Sequence, residues 1–306
     1  MNRRPIFPLG ISRAAPKNRN YPLIDNRLWS DPDSEESYNR ILPKISKYIN
    51  WRWATEQITY STNNCGLRME ENIDDNYDFS NTYVVLGCSF VEGIGNKKDE
   101  TISAYIEKIS GVKTLNFGNG GTGCDVVFYN SMWLASRPNP PKKIFICWPE
   151  ISRVSHYRLS YNKIDNIMET DNSYSTPLYP INISTKDHME NDYKDEFFAY
   201  PYVQSNNKIL WQELLRFTWG KNMVELDIID TSEFNKTYDK KTLKVDLGDI
   251  ALRESASPEE LINLWCARDI QLDTIDRIIK KGEKYGGACH WGPAFNKLVA
   301  EWLLSQ

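Results

Sequence analysis

Ser89 stands where nucleophilic chemistry is possible. It lies two residues past the apolar run Val84-Val85-Leu86-Gly87, with Gly93 and Gly95 behind it. A serine there projects from a tight turn, and the glycines let backbone N–H groups approach a ligand. Such a hydroxyl needs a base within hydrogen-bond reach. The chain has three histidines, His156, His188 and His290. His156 and His188 fall in an irregular stretch, whereas His290 sits in a glycine-rich loop before the last helix. A third feature is the loop Gly118-Asn119-Gly120-Gly121-Thr122-Gly123, between a strand and a helix. Its N–H groups suit a developing oxyanion. Each feature alone also has a plain reading: a turn-capping serine, a surface histidine, a strand-to-helix turn. Together they point to acyl transfer. The rival reading of the glycines is a dinucleotide loop. However, G-x-G-G-x-G lacks the G-x-G-x-x-G spacing, and no fitting acidic residue stands at the end of the next strand. Cys88 is a rival nucleophile, but a residue beside Ser89 on an extended segment points the other way.

These residues need a frame. Residues 81–87 are a short, almost continuous apolar run, as expected of a strand buried on both faces, and 112–118 and 142–149 read as a second and a third strand. Between them, 101–111 and 124–137 carry helical periodicity. Strand–helix alternation with short connections implies right-handed crossovers and a parallel sheet covered on both faces. Ligands bind at the carboxyl ends of such strands, where residues 87–95, 118–123 and 148–153 would gather. Further on, a helix is expected over 207–219, with Ile209, Leu210, Leu214, Leu215 and Phe217 as its apolar residues. A strand is expected over 223–230. A helix is expected to open at Ser257, with Pro258 at its first position and Glu260 reaching back. It either continues through Ile279 or breaks near Arg268. Pro293 opens the last helix. Residues 58–62 read as a strand.

The expected organisation is an N-terminal arm over 1–57 and one α/β domain over 58–306. Polar, aromatic insertions are expected at about 150–205 and 231–255. The net charge of −4 and the lack of a basic stripe argue against a nucleic-acid partner. The only basic cluster is Arg3, Arg4, Arg13, Lys17 and Arg19, in the arm. None of the six cysteines forms a CxxC pair, so no metal site is expected, and no cofactor either. No apolar window is long enough to span a membrane, and the N-terminus lacks a secretory signal's apolar region. The expected location is cytoplasmic when made, or virion-associated.

Residues 83–95 resemble the first conserved block of SGNH (GDSL-type) hydrolases. The match is to the Gly-Cys-Ser-Phe variant common among phage-encoded members, with Cys88 in place of the usual Asp. Gly121 resembles the oxyanion glycine of the second block. Ala288-Cys289-His290-Trp291 and the following helix resemble the last block. Thr62-Asn63-Asn64-Cys65-Gly66-Leu67-Arg68 is similar to a Thr-Asn-x-x-Gly-x-Arg segment of larger members. The resemblance implies a three-layer α/β/α, flavodoxin-like fold. It also implies an esterase with Ser89 as nucleophile and His290 as base. The implied substrate is an O-acylated carbohydrate or small ester. Two family residues are missing. Trp148-Pro149-Glu150-Ile151-Ser152-Arg153 lacks the oxyanion Asn of the third block, leaving Asn119, Ser152 or Arg153 as substitutes. Gly287 stands where the family places an Asp, three residues before the histidine. That leaves a backbone carbonyl, Asp269 or Glu283 to orient His290. These losses motivate an alternative: a non-enzymatic structural or binding protein, docked through its arm to a virion or to further copies of itself.

Overall fold

The computed structural model describes residues 26–30, 32–74, 76–149, 153–157, 178–182, 201–227, 257–281 and 290–306. Its centre is a parallel sheet of β1 (Tyr83–Gly87), β2 (Thr114–Gly118), β3 (Lys143–Trp148) and β6 (Met223–Asp227), in the order β2-β1-β3-β6. A separate antiparallel pair, β4 (Arg153–Tyr157) and β5 (Leu178–Asn182), falls inside the expected first insertion. In the main sheet Val85 pairs with Asn116 on one side and Phe145 on the other. The order reverses at β1: the chain goes to one side for β2 and to the other for β3. Ligands of open α/β sheets bind at such a reversal, outside the carboxyl ends of the strands.

Period-two alternation splits the core into two layers. Val85, Phe145, Cys147, Val224 and Leu226 face one layer. That layer holds α1 (Glu35–Ile45), α3 (Ile102–Ser110), α6 (Leu272–Lys281) and α7 (Pro293–Ser305). Val84, Leu86, Leu115, Phe117, Ile144, Ile146 and Trp148 face the other. There α4 (Cys124–Ala135) and α5 (Pro201–Trp219) pack together. This is the three-layer α/β/α architecture. Burial on both faces explains the near-continuous apolar runs of β1 and β3, whereas β6 buries only Val224 and Leu226.

The N-terminal region departs from the expected arm. Ser34 caps α1 by accepting the Ser37 N–H, and Glu35 and Glu36 complement its first turn. Ile41, Ile45, Trp51 and Trp53 are buried in the same layer as α3 and α7. So residues 34–54 are part of the α/β body, and the boundary at 57 does not mark a change in packing. The strand expected over 58–62 is a single bridge, Arg27 with Tyr60. Ser257 caps its helical turn by accepting the Glu260 N–H, but that helix ends within two turns as a wide turn over Leu261–Trp265. It therefore breaks before Arg268, and α6 starts afresh at Leu272. On α5 only part of the expected apolar set is inside. Leu215 is buried, while Leu210, Leu214 and Phe217 are exposed among the described residues. Residues 1–25, with the basic cluster, and the second insertion lie outside the described residues. So do Glu150, Ser152, His188, Glu283 and Gly287.

Candidate active site

Ser89 opens α2 (Ser89–Glu92), a single helical turn that follows β1 directly. The reversal is tight. A Cβ on Gly87 would come within 2.5 Å of Val91 Cγ2 and 2.8 Å of the Cys147 carbonyl oxygen. Gly93, at φ +80°, ends the turn, and its N–H donates to the Ser89 carbonyl. Arg68 holds the turn from below. Its guanidinium is buried and donates to the carbonyls of Gly93 (2.5 Å), Asn96 (2.8 Å), Thr59 (3.1 Å) and Glu92 (3.3 Å). A cation suits the carbonyl end of a helical turn. Cys88 is fully buried, near the Cys124 and Cys147 thiols. Burial pushes the Cys124 thiol up to about 12, with Cys88 adding to the rise.

His290 reaches Ser89 from the last loop: its Nε2 lies 2.7 Å from Ser89 Oγ. Its Nδ1 lies 2.5 Å from Asp269 Oδ2, and its backbone N–H donates to Asp269 Oδ1 at 3.2 Å. An ionised carboxylate only accepts, so Nδ1 carries the proton and Nε2 is left to accept from the serine. Asp269 is thus the carboxylate beside the imidazole, 21 residues upstream of it. A short antiparallel bridge makes this possible. Ala267 N–H donates to the His290 carbonyl and Gly292 N–H to the Trp265 carbonyl, at 3.1 and 2.9 Å. The bridge lays the Asp269 loop alongside His290. Phe90 covers the imidazole, with ring centroids 4.7 Å apart.

A second buried network fixes the Asp269 loop. Arg268 grips Asp33 through Nε and Nη2, at 2.9 and 2.7 Å, and also donates to the Leu28 carbonyl. Tyr60 donates to Asp33 at 2.5 Å and accepts the Gly95 N–H at 2.8 Å. Arg268 N–H donates to the Gly95 carbonyl. Gly95 has φ +73°, and a Cβ there would lie 3.1 Å from Asp269 Oδ1. Only glycine suits that position. Burial pushes the Asp33 carboxyl above its usual range despite its bonds to Arg268, and Asp269 pushes it the same way. Arg268→Ala would leave Asp33 buried without its cation. We expect it to lower unfolding stability by about 3–5 kcal/mol in a urea titration. A loss under about 1 kcal/mol would refute the buried pairing.

The loop after β2 supplies the third component. Asn119 N–H donates to the Gly87 carbonyl at 3.1 Å, tying the loop to the end of β1. Thr122 folds back, with both its N–H and Oγ1 donating to the Asn119 carbonyl. Gly121 takes φ +75°. A Cβ on Gly120 would lie 3.9 Å from Ser89 Cβ, so the loop sits beside the serine. Among the described residues, the N–H groups of Ser89 and Gly121 carry no hydrogen bond, nor does the buried Asn119 carboxamide. These are donors a negative oxygen near Ser89 could use. Arg153 lies on β4. Among the described residues, no group of acids, histidines and cysteines could hold a metal, and no helix is long and apolar enough to cross a membrane.

Asp33 escaped the sequence reading, and Tyr60, Arg68 and Glu92 appeared there only within an expected strand or motif, with no role of their own. Their signal was faint: polar residues flanking a glycine turn, without periodicity.

No protein-family profile matches the chain, and no curated protein matches it. Among solved structures, a part of the chain is similar to AlinE4, an SGNH-hydrolase family esterase, and to a mutant of that esterase. Identity is 22%, and the TM-score is 0.19. The similarity covers 22% of this chain and 39% of the esterase's.

Proposed function

We propose that this chain is a serine acyl-hydrolase acting on O-acyl groups of a carbohydrate or small ester. The observation that carries the proposal is the unbroken hydrogen-bond chain from Ser89 through His290 to Asp269. Ser89 Oγ attacks the ester carbonyl carbon while His290 Nε2 takes its proton. The carbonyl oxygen becomes an oxyanion beside the N–H groups of Ser89 and Gly121, with the Asn119 carboxamide as a third donor. The intermediate collapses. The C–O bond to the alcohol breaks, and the alcohol leaves with the proton from His290. Water then attacks the acyl-enzyme, His290 taking its proton, and the acid departs as Ser89 recovers its own. Throughout, Asp269 holds the imidazole in the accepting tautomer.

A non-enzymatic reading was motivated by the missing third-block Asn, the missing Asp before His290 and the N-terminal arm. Asp269, hydrogen-bonded to His290 Nδ1, supplies the kind of group whose loss prompted it. A fluorophosphonate probe tests the choice. We expect stoichiometric labelling, with the added mass on the peptide that contains Ser89. An intact, folded protein that takes up no probe overturns the proposal.

A further inference from the structure

We infer that Glu92 is the positioning residue of the oxyanion loop. Resting on the acyl-hydrolase reading above, the inference assigns Glu92 no contact with substrate. Glu92 is the last residue of α2, three positions after Ser89. Its carboxylate Oε2 accepts the N–H of Gly120 at 2.6 Å. A charged acceptor shortens and strengthens such a bond. The loop that carries Gly121 is thereby attached to the same short helix that carries the nucleophile.

The attachment is stiff at both ends. On the Glu92 side, Gly118 has no side chain, which lets the backbones close up. A Cβ on Gly118 would lie 2.1 Å from Glu92 N and 2.8 Å from Glu92 Cα. Asn116 spans the same seam: its Nδ2 donates to the Val91 carbonyl and its Oδ1 accepts the Gly118 N–H. Arg68 bonds the Glu92 carbonyl from beneath, and its charge faces the Glu92 carboxylate. The Glu92 main chain is thus fixed, and its carboxylate acts from a set distance. On the loop side, the bond engages the N–H of Gly120, next to the left-handed turn at Gly121. With the Gly120 N–H engaged by Glu92, the Gly121 N–H is the one left for an oxyanion. Loop and nucleophile then keep their spacing while charge develops, which is when a displacement of about 1 Å can cost about 100-fold.

Glu92→Ala and Glu92→Gln test this in the full chain. Wild type must first hydrolyse p-nitrophenyl acetate and take up fluorophosphonate; failure of both overturns the acyl-hydrolase reading itself. Given an active wild type, we expect Glu92→Ala to lower kcat by about 10- to 100-fold with KM nearly unchanged. It should also weaken phenylboronic acid, which forms a tetrahedral serine adduct, by a similar factor. Glu92→Gln keeps an oxygen acceptor and should recover most of that loss. A Glu92→Ala protein with wild-type kcat and boronate affinity overturns the inference alone. So does a Glu92→Gln protein that melts like wild type but falls as far as the alanine variant, because the hydrogen bond would then not be the cause. A loss in both variants that follows melting temperature, with KM and boronate affinity unmoved relative to the folded fraction, also overturns it.

Discussion

Ser89→Ala and His290→Ala are each expected to lower kcat for p-nitrophenyl acetate by about 10⁴- to 10⁶-fold, and the double variant should fall little further. The reason is the 2.7 Å bond between Ser89 Oγ and His290 Nε2. A serine hydroxyl is a poor nucleophile at neutral pH until a base takes its proton, and the base has no task without the hydroxyl. The two act as one unit, so their losses do not add. What survives is hydrolysis by water, helped only by the loop donors. Both side chains are polar and meet at the carboxyl edge of the sheet, so the variants should stay folded. Steady-state kinetics on the two single variants and the double check this. Losses that multiply, or a Ser89→Ala enzyme within tenfold of wild type, would show that the pair is not the reacting unit.

Strands β1 and β3 were legible because burial on both faces writes itself as uninterrupted apolar runs. Val84-Val85-Leu86-Gly87 and Ile144-Phe145-Ile146-Cys147 could be little else. The helix α1 was harder to see. Tyr38, Ile41, Leu42 and Ile45 form its apolar stripe, but Pro43 and four charged residues, Glu35, Glu36, Arg40 and Lys44, dilute it. Its start signal, Ser34 with Glu35 and Glu36, was present in a segment whose prolines read as an extended arm. Burial of Ile41 and Ile45 outweighed that local composition. Propensity is a weak prior when tertiary packing pulls the other way.

At the site, residues adjacent in sequence were easier to place than residues adjacent only in space. Ser89, Gly121 and His290 each lie next to a predictable element boundary. The network under Asp269 does not. Asp33, Tyr60, Gly95 and Arg268 come from segments up to 235 residues apart. They meet because the chain N-terminal to β1 packs beside the loop after the Leu261–Trp265 turn. No periodicity encodes such a meeting. Glu92 is the intermediate case. It sits three residues from Ser89, yet its partner, the Gly120 N–H, depends on how β2 ends against α2.

Asp269→Asn is expected to lower kcat/KM by about 10⁴-fold while leaving the fold in place. The Asp269 carboxylate accepts two N–H groups at once, one from the imidazole and one from the His290 backbone. An asparagine has one oxygen for two donors. If its oxygen keeps the backbone N–H, its own N–H₂ faces Nδ1 and turns it into an acceptor. The proton then sits on Nε2, where it meets the serine hydroxyl and blocks proton transfer. If the oxygen faces Nδ1 instead, the backbone N–H loses its acceptor, and the bridge between Trp265–Ala267 and His290–Gly292 loosens. Either way the imidazolium that forms during attack loses the negative charge beside it. KM should move far less than kcat, since no bond to the substrate is removed. An Asp269→Asn enzyme within tenfold of wild type would mean that His290 is oriented from elsewhere.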